Sequence, residues 1–334
     1  MIISKTPFRM SFFGGGTDMP EFFNTFGGSV ISTSFDKYCY TTVRHLPPFF
    51  DYHSEVAYPK IERVLSSEEL EHPLVRNAMK YLDIRDIRLT YEADLPARSG
   101  LGTSSSFAVG MLNAFHRVKG KTVDAKQLAD EAIYVERVLC NEAGGWQDQI
   151  AAAFGGFNRI DFSDNSYRVT PVDISFDRKK MLNDKLMLFF TGLSRLSAIV
   201  QKESKPISEK EKELKQMLTL VDDAEGILKS GDIDDFGRLL DTTWKLKRQT
   251  GANVSTSAID EYYDSAIKAG ALGGKLLGAG GGGFLLFYVP EEYRENVMKA
   301  MSDLLYIPFK FTDEGSQIIY EVPDVYSFRE GEEK

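Results

Sequence analysis

The sequence predicts an α+β protein of two domains. Stretches with strand alternation and stretches with helical spacing follow one another irregularly, with hairpin-like neighbours rather than a repeating strand–helix unit. The chain has 334 residues, and domains usually take roughly 100–200. A polar, irregular stretch at 165–184 places the boundary, giving domains at 1–170 and 171–334.

The apolar N-terminal segment carries Arg9 and runs into Phe12-Phe13-Gly14-Gly15-Gly16-Thr17-Asp18. From Arg85 to Leu95, Ile87, Leu89, Tyr91, Ala93 and Leu95 alternate with polar residues, as in a half-buried strand ended by Pro96. Phe107, Met111, Ala114, Phe115 and Val118 then recur at helical intervals up to Gly120, with Ser104 and Ser105 suited to cap the helix. A second helix is expected over 124–139. Further helices are expected at 208–230, 233–247, 257–269 and 291–305. Strands are expected at 186–190, 275–277 and 284–289, with two short ones near Phe309 and Ile318.

A net charge of −9 argues against a nucleic-acid partner, which calls for a basic face. No apolar run reaches the ~18–20 residues of a membrane span. The first residues are too short and too broken by polar side chains for a signal peptide. The two cysteines, Cys39 and Cys140, form no metal-binding pattern, so reduced thiols in a cytoplasmic protein are expected.

Three small-residue loops stand out. The first is Gly14-Gly15-Gly16. The second, from Pro96 to Ser106, opens a helix, where backbone N–H groups and the helix dipole favour a phosphate. Its hydroxyls, Thr103 to Ser106, can ligate a metal or simply cap the helix. The third, Gly278 to Gly283, lies between two strands; a dinucleotide fingerprint needs a helix after the loop, so that reading is rejected. Two carboxylates suit phosphoryl transfer, which needs a metal ligand and an acidic group beside the attacking hydroxyl: Glu136 and Asp148. Taken singly, Glu136 also reads as a solvated helix residue and Asp148 as a helix cap.

The loops, in this order, resemble the GHMP kinases (galactokinase, homoserine kinase, mevalonate kinase, phosphomevalonate kinase). The residues that carry the likeness are Pro7 to Gly14 with Thr17-Asp18, Pro96 to Ser105, and Lys275 to Gly283. Phe12 to Pro20, Gly144 to Phe157 and Ala271 to Phe287 look like a subgroup acting on heptose phosphates, with fucokinase domains as near relatives. Kinases of the galactokinase type carry Glu and His where this chain has Gly15 and Gly16, which leaves room for a substituted sugar.

The resemblance implies an N-terminal ribosomal-S5-like domain and a C-terminal ferredoxin-like domain. It further implies ATP and Mg²⁺ as cofactors and a sugar or sugar phosphate as substrate, with a homodimer left open. Pro96, Gly100, Leu101, Gly102, Thr103, Ser104 and Ser105 would form the ATP phosphate site, and Ser104 and Glu136 would hold Mg²⁺. Asp148 would orient the anomeric hydroxyl, with Arg9 beside it. Gly15, Gly16, Thr17, Asp18, Gly145, Gly280, Gly281 and Gly282 would face the sugar. A phosphate on the substrate would need a cation, from among Arg195, Lys245, Lys247 and Arg248.

Overall fold

The computed structural model describes residues 1–97, 99–192 and 206–323; Arg195 lies outside them. Two sheets organise these residues, one of nine strands and one of four.

The larger sheet is built on two long neighbours, β1 (Ile2–Phe13) and β2 (Gly28–His45), paired antiparallel. β1 is buried along both faces, so its side chains are nearly all apolar or small. Its register on β2 slips between Pro7 and Phe8 and again between Ser11 and Phe13. Pro7 has no N–H to give the ladder, and bulges of this kind re-aim the next side chains, here Arg9 and Ser11. The helix α1 (Pro20–Phe26), the strands β3 (Ser54–Ala57) and β4 (Ile61–Val64), the helix α2 (Pro73–Tyr81) and the strand β5 (Ile87–Ala93) follow.

A loop then leads into α3 (Thr103–Val118), which packs across β1 and β2. Ser106 at its start donates to the Pro7 carbonyl (2.8 Å). The expected cap is different. Gly102, in left-handed conformation (φ 72°), precedes the helix and no side chain caps it. Ser104 and Ser105 sit inside the first turn, with their hydroxyls turned to Glu136. α4 (Ala125–Ile133) is capped by Asp124, whose carboxylate accepts from Gln127 N (2.8 Å). It widens into a π-helical turn, Tyr134–Leu139, closed by a bond from Cys140 N to Val135 O.

α5 (Gln147–Phe154), β6 (Phe157–Ser163) and β7 (Ser166–Pro171) complete the first half. The stretch read as irregular holds β7 and α6 (Phe176–Lys185), whose Ser175 side chain accepts from Arg178 N. Its polarity reflects exposure rather than disorder.

The second sheet runs β11-β8-β10-β9, antiparallel throughout. Its strands are β8 (Leu186–Phe190), β9 (Gly273–Leu276), β10 (Phe284–Tyr288) and β11 (Leu305–Ile307). Packed with it are α8 (Asp234–Gln249), α9 (Ser257–Lys268) and α10 (Arg294–Ala300), while α7 (Ile207–Lys229) lies against α8 and against β1 and β2 of the larger sheet. α10 is shorter than expected, because Leu305 already belongs to β11. After this sheet the chain returns: β12 (Phe311–Thr312) pairs with β2, and β13 (Gln317–Glu321) with β1. Aromatic rings join the halves: Phe236 of α8 meets Phe12 and Phe13 edge-on at 5.2 and 5.0 Å. Each such pair adds about 0.5–1.5 kcal/mol beyond area burial.

Candidate active site

The end of β1, the loop before α3, the start of α5 and the loop between β9 and β10 converge. Arg9 is 4% exposed. Its Nε and Nη2 hold Asp148 Oδ1 at 2.8 and 2.7 Å, and its Nη1 donates to the Gly100 carbonyl at 2.8 Å. Gly102 leaves room for this pair: a Cβ there would lie 3.3 Å from Arg9 Cγ and 3.5 Å from Asp148 Cγ. Asp148 lies in the first turn of α5, where the helix dipole favours a negative charge.

Asp18 is buried against the same helix start. Its carboxylate accepts from Gly16 N (2.9 Å) and Gln147 N (3.3 Å), and its carbonyl accepts from Trp146 N. Gly145 must be glycine, since a Cβ would fall 1.9 Å from Asp18 Oδ2. Burial, and then the charge of Asp148, push the Asp18 carboxyl above its ordinary value. Two carboxylates in one pocket, one gripped by arginine and one biased toward its protonated form, suit the binding of a polyhydroxyl ligand.

Glu136 projects from the π-helical turn and is 1% exposed. Ser104 donates to its Oε1 (3.0 Å), while Ser105 (2.7 Å) and Gln149 (2.5 Å) donate to its Oε2. α5 therefore serves both carboxylates: Asp148 faces Arg9, and the next residue fixes Glu136. A buried carboxylate with no cation partner among the described residues, next to the exposed Ser104 hydroxyl, would suit a hard, oxygen-seeking cation. Among the described residues no cluster of three acidic, histidine or cysteine side chains could cage a metal by itself.

The GHMP kinases N terminal domain matches residues 73–156, and the GHMP kinases C terminal domain matches 224–307. The D-glycero-alpha-D-manno-heptose 7-phosphate kinase of Campylobacter jejuni is 30% identical over 94% of this chain and 97% of its own length. This chain belongs to the GHMP kinases. Members of that family are ATP-dependent phosphotransferases, here of the sugar-kinase kind. The crystal structure of a D-glycero-D-manno-heptose 1-phosphate kinase from Bacteroides thetaiotaomicron superimposes with a TM-score of 0.79. It is 26% identical and covers 97% of this chain and 100% of its own. The L-fucokinase/L-fucose-1-P guanylyltransferase of Bacteroides fragilis is 25% identical over 85% of this chain, which spans 34% of that protein.

The other expected site residues of this GHMP kinase are placed as follows. Pro96 is exposed after β5. Leu101 is buried in the core, and its carbonyl accepts from Arg9 N. Thr103 is buried at the start of α3. Gly15 lies beside Ser11, while Gly16 turns its N–H to Asp18. The Thr17 hydroxyl bonds the Gly14 and Ser29 carbonyls and so braces the turn from behind. Gly280 abuts the Val254 backbone, and Gly281 N donates to Val254 O; Gly282, beside them, also has a positive φ. Lys245 points outward to Asp241 (2.5 Å), and Arg248 pairs with Asp260 (3.1 Å).

Sequence reading missed Gln149, Ser11 and Lys275. Ser11 Oγ is buried without a hydrogen-bond partner among the described residues, next to Gly15 and on the β1 face that carries Arg9. Lys275 was visible as a lone charge within an apolar strand. Among the described residues no helix is long and apolar enough to cross a membrane.

Proposed function

We propose that this kinase transfers the γ-phosphoryl group of Mg-ATP to the anomeric hydroxyl of D-glycero-D-manno-heptose 7-phosphate, giving the 1,7-bisphosphate in a cytoplasmic route to nucleotide-activated heptose. The observation that carries the reading is the Arg9–Asp148 pair beside Asp18, with open space at Gly15, where a Cβ would meet nothing closer than Ser11 Oγ at 3.8 Å. The end-to-end likeness to the Campylobacter jejuni enzyme supports it.

The backbone of Gly100 to Ser105 and the start of α3 would receive the ATP phosphates. Ser104 and Glu136 would hold Mg²⁺, which would supply positive charge to offset that of the nucleotide phosphates. Asp148 orients the hydroxyl and accepts its proton as the sugar oxygen bonds to phosphorus; the broken phosphorus–oxygen bond leaves its electron pair on ADP. Arg9 fixes the Asp148 carboxylate. The arginine makes Asp148 a weak base, which is tolerable because phosphoryl transfer depends mainly on positioning and charge.

The test is ADP release with Mg-ATP against the heptose 7-phosphate, mannose 6-phosphate, sedoheptulose 7-phosphate, fucose and galactose. Preference for the heptose phosphate is expected. Turnover of fucose alone, the substrate type named for the Bacteroides fragilis relative, would replace the sugar and keep the kinase. ATP binding without turnover of any sugar would favour a non-catalytic sensor.

A further inference from the structure

Three cations meet where the two halves of the chain touch, and among the described residues one carboxylate, Asp148, is ion-paired with them. Arg9 uses Asp148. Lys275, 3% exposed on β9, donates to the Ser11 (2.9 Å) and Phe12 (2.8 Å) carbonyls of β1. Lys247, near the end of α8, donates to the carbonyls of Leu276 (3.2 Å) and Gly278. Two carbonyls each leave both lysines without an ion pair among the described residues. An ammonium has three N–H groups, so Lys247 retains one beyond these carbonyls.

The place of Lys247 says what that N–H serves. Gly278, which it holds, lies against Gly100, the residue that Arg9 holds from the other side. Lys247 thus closes the seam between the nucleotide-phosphate loop and the glycine loop, next to the arginine that grips Asp148. That is the reacting end of the site, not the far end of a substituted sugar.

We propose that Lys247 is a further catalytic residue, whose ammonium donates to an oxygen of the phosphoryl group as it passes from the nucleotide to the sugar hydroxyl held by Asp148. Lys275 is a positioning residue: it ties β9 to β1 and so sets the glycine loop, and Lys247 with it, against Arg9. The proposal rests on the proposed roles of Asp148 and the nucleotide-phosphate loop and holds whichever sugar is used.

The surroundings tune this group. Arg9 from β1 and Lys275 from β9 face it, and the Trp244 ring lies 6.0 Å away on its own helix. Asp148 and Asp18 lie beyond Arg9. Burial, then Arg9, lowers the Lys247 ammonium to about 8. Its charged form is present below that pH and lost above it.

The experiment compares wild type, Lys247→Met and Lys247→Arg for kcat and for both KM values across pH, with thermal unfolding as the folding control. Lys247→Met should lose ~10²–10³-fold in kcat, the usual effect of removing one preorganised donor, with the sugar KM little changed. Wild-type kcat/KM should fall as pH rises through about 8. Lys247→Arg should recover much of kcat and move that fall to higher pH, because arginine stays charged. Three results would overturn the proposal: an undiminished kcat in Lys247→Met; a rise confined to the sugar KM, which would give Lys247 the substrate's own phosphate; or equal losses in activity and melting temperature for both variants with an unmoved pH profile, which would make it a structural tie.

Discussion

Gly100 and Gly278 lie back to back: a Cβ on Gly278 would sit 2.3 Å from the Gly100 Cα, and a Cβ on Gly100 would sit 2.4 Å from the Leu277 carbonyl oxygen. Both residues have positive φ, 84° and 79°. Their glycine identity is thus dictated first by loop-against-loop packing across the seam. Gly100→Ala or Gly278→Ala should each cost ~1–3 kcal/mol in urea unfolding. The double variant should cost less than the sum, since either change already separates the loops. Strict additivity would show that the two backbones do not meet.

Asp148→Asn keeps the shape but removes the charge that Arg9 grips. Turnover should fall ~10²–10⁴-fold, while ATP affinity by isothermal titration stays near wild type. Near-normal turnover would remove Asp148 from the chemistry.

Glu136→Gln leaves hydrogen bonding possible and takes away the buried charge. The Mg²⁺ concentration needed for half-maximal rate should rise at least about tenfold, with a smaller change in sugar KM. An unaltered Mg²⁺ titration would place the metal elsewhere.

Asp18 provides a test by pH. A carboxyl raised above its ordinary 3.8 holds its proton more tightly when folded. Folding stability from this group is therefore full below that value, declines as pH rises toward the raised one, and is flat beyond. Asp18→Asn does not ionise, so its stability relative to wild type should improve across that window and stay constant on either side. A difference independent of pH would mean that Asp18 titrates normally.

Lys245, 60% exposed and paired with Asp241, sits on the outer side of α8. Lys245→Glu should leave both KM values unchanged and alter stability by at most ~1 kcal/mol. A selective rise in KM for a phosphorylated sugar would show instead that this lysine reaches the substrate.

Much of the local structure was legible because its signals are local. The alternation over 85–95 becomes β5, the spacing after Ser106 becomes α3, and the rejected dinucleotide reading agrees with a glycine loop that enters β10. Asp148 and Glu136 were candidates by chemical type, the family resemblance set Arg9 beside Asp148, and the fold brings Arg9 and Asp148 into contact. Ser104 was expected beside Glu136 from the family resemblance, but its other neighbours, Ser105 and Gln149, were not legible. Serines opening a helix normally cap it, but the π-helical turn brings a carboxylate close enough to take both hydroxyls.

The sequence by itself determined the α+β class, most of the helices, fewer than half of the strands, the glycine loops and the kinase family, since these rest on periodicity and short motifs. Tertiary structure alone decided that residues 311–321 return to the first sheet, because strand pairing at such range leaves no local trace. It also decided between Lys245 and Lys247. Two residues apart on a helix, they point ~160° away from each other. Burial of Trp244 against the second core orients α8 so that Lys247 meets the glycine loop and Lys245 meets solvent.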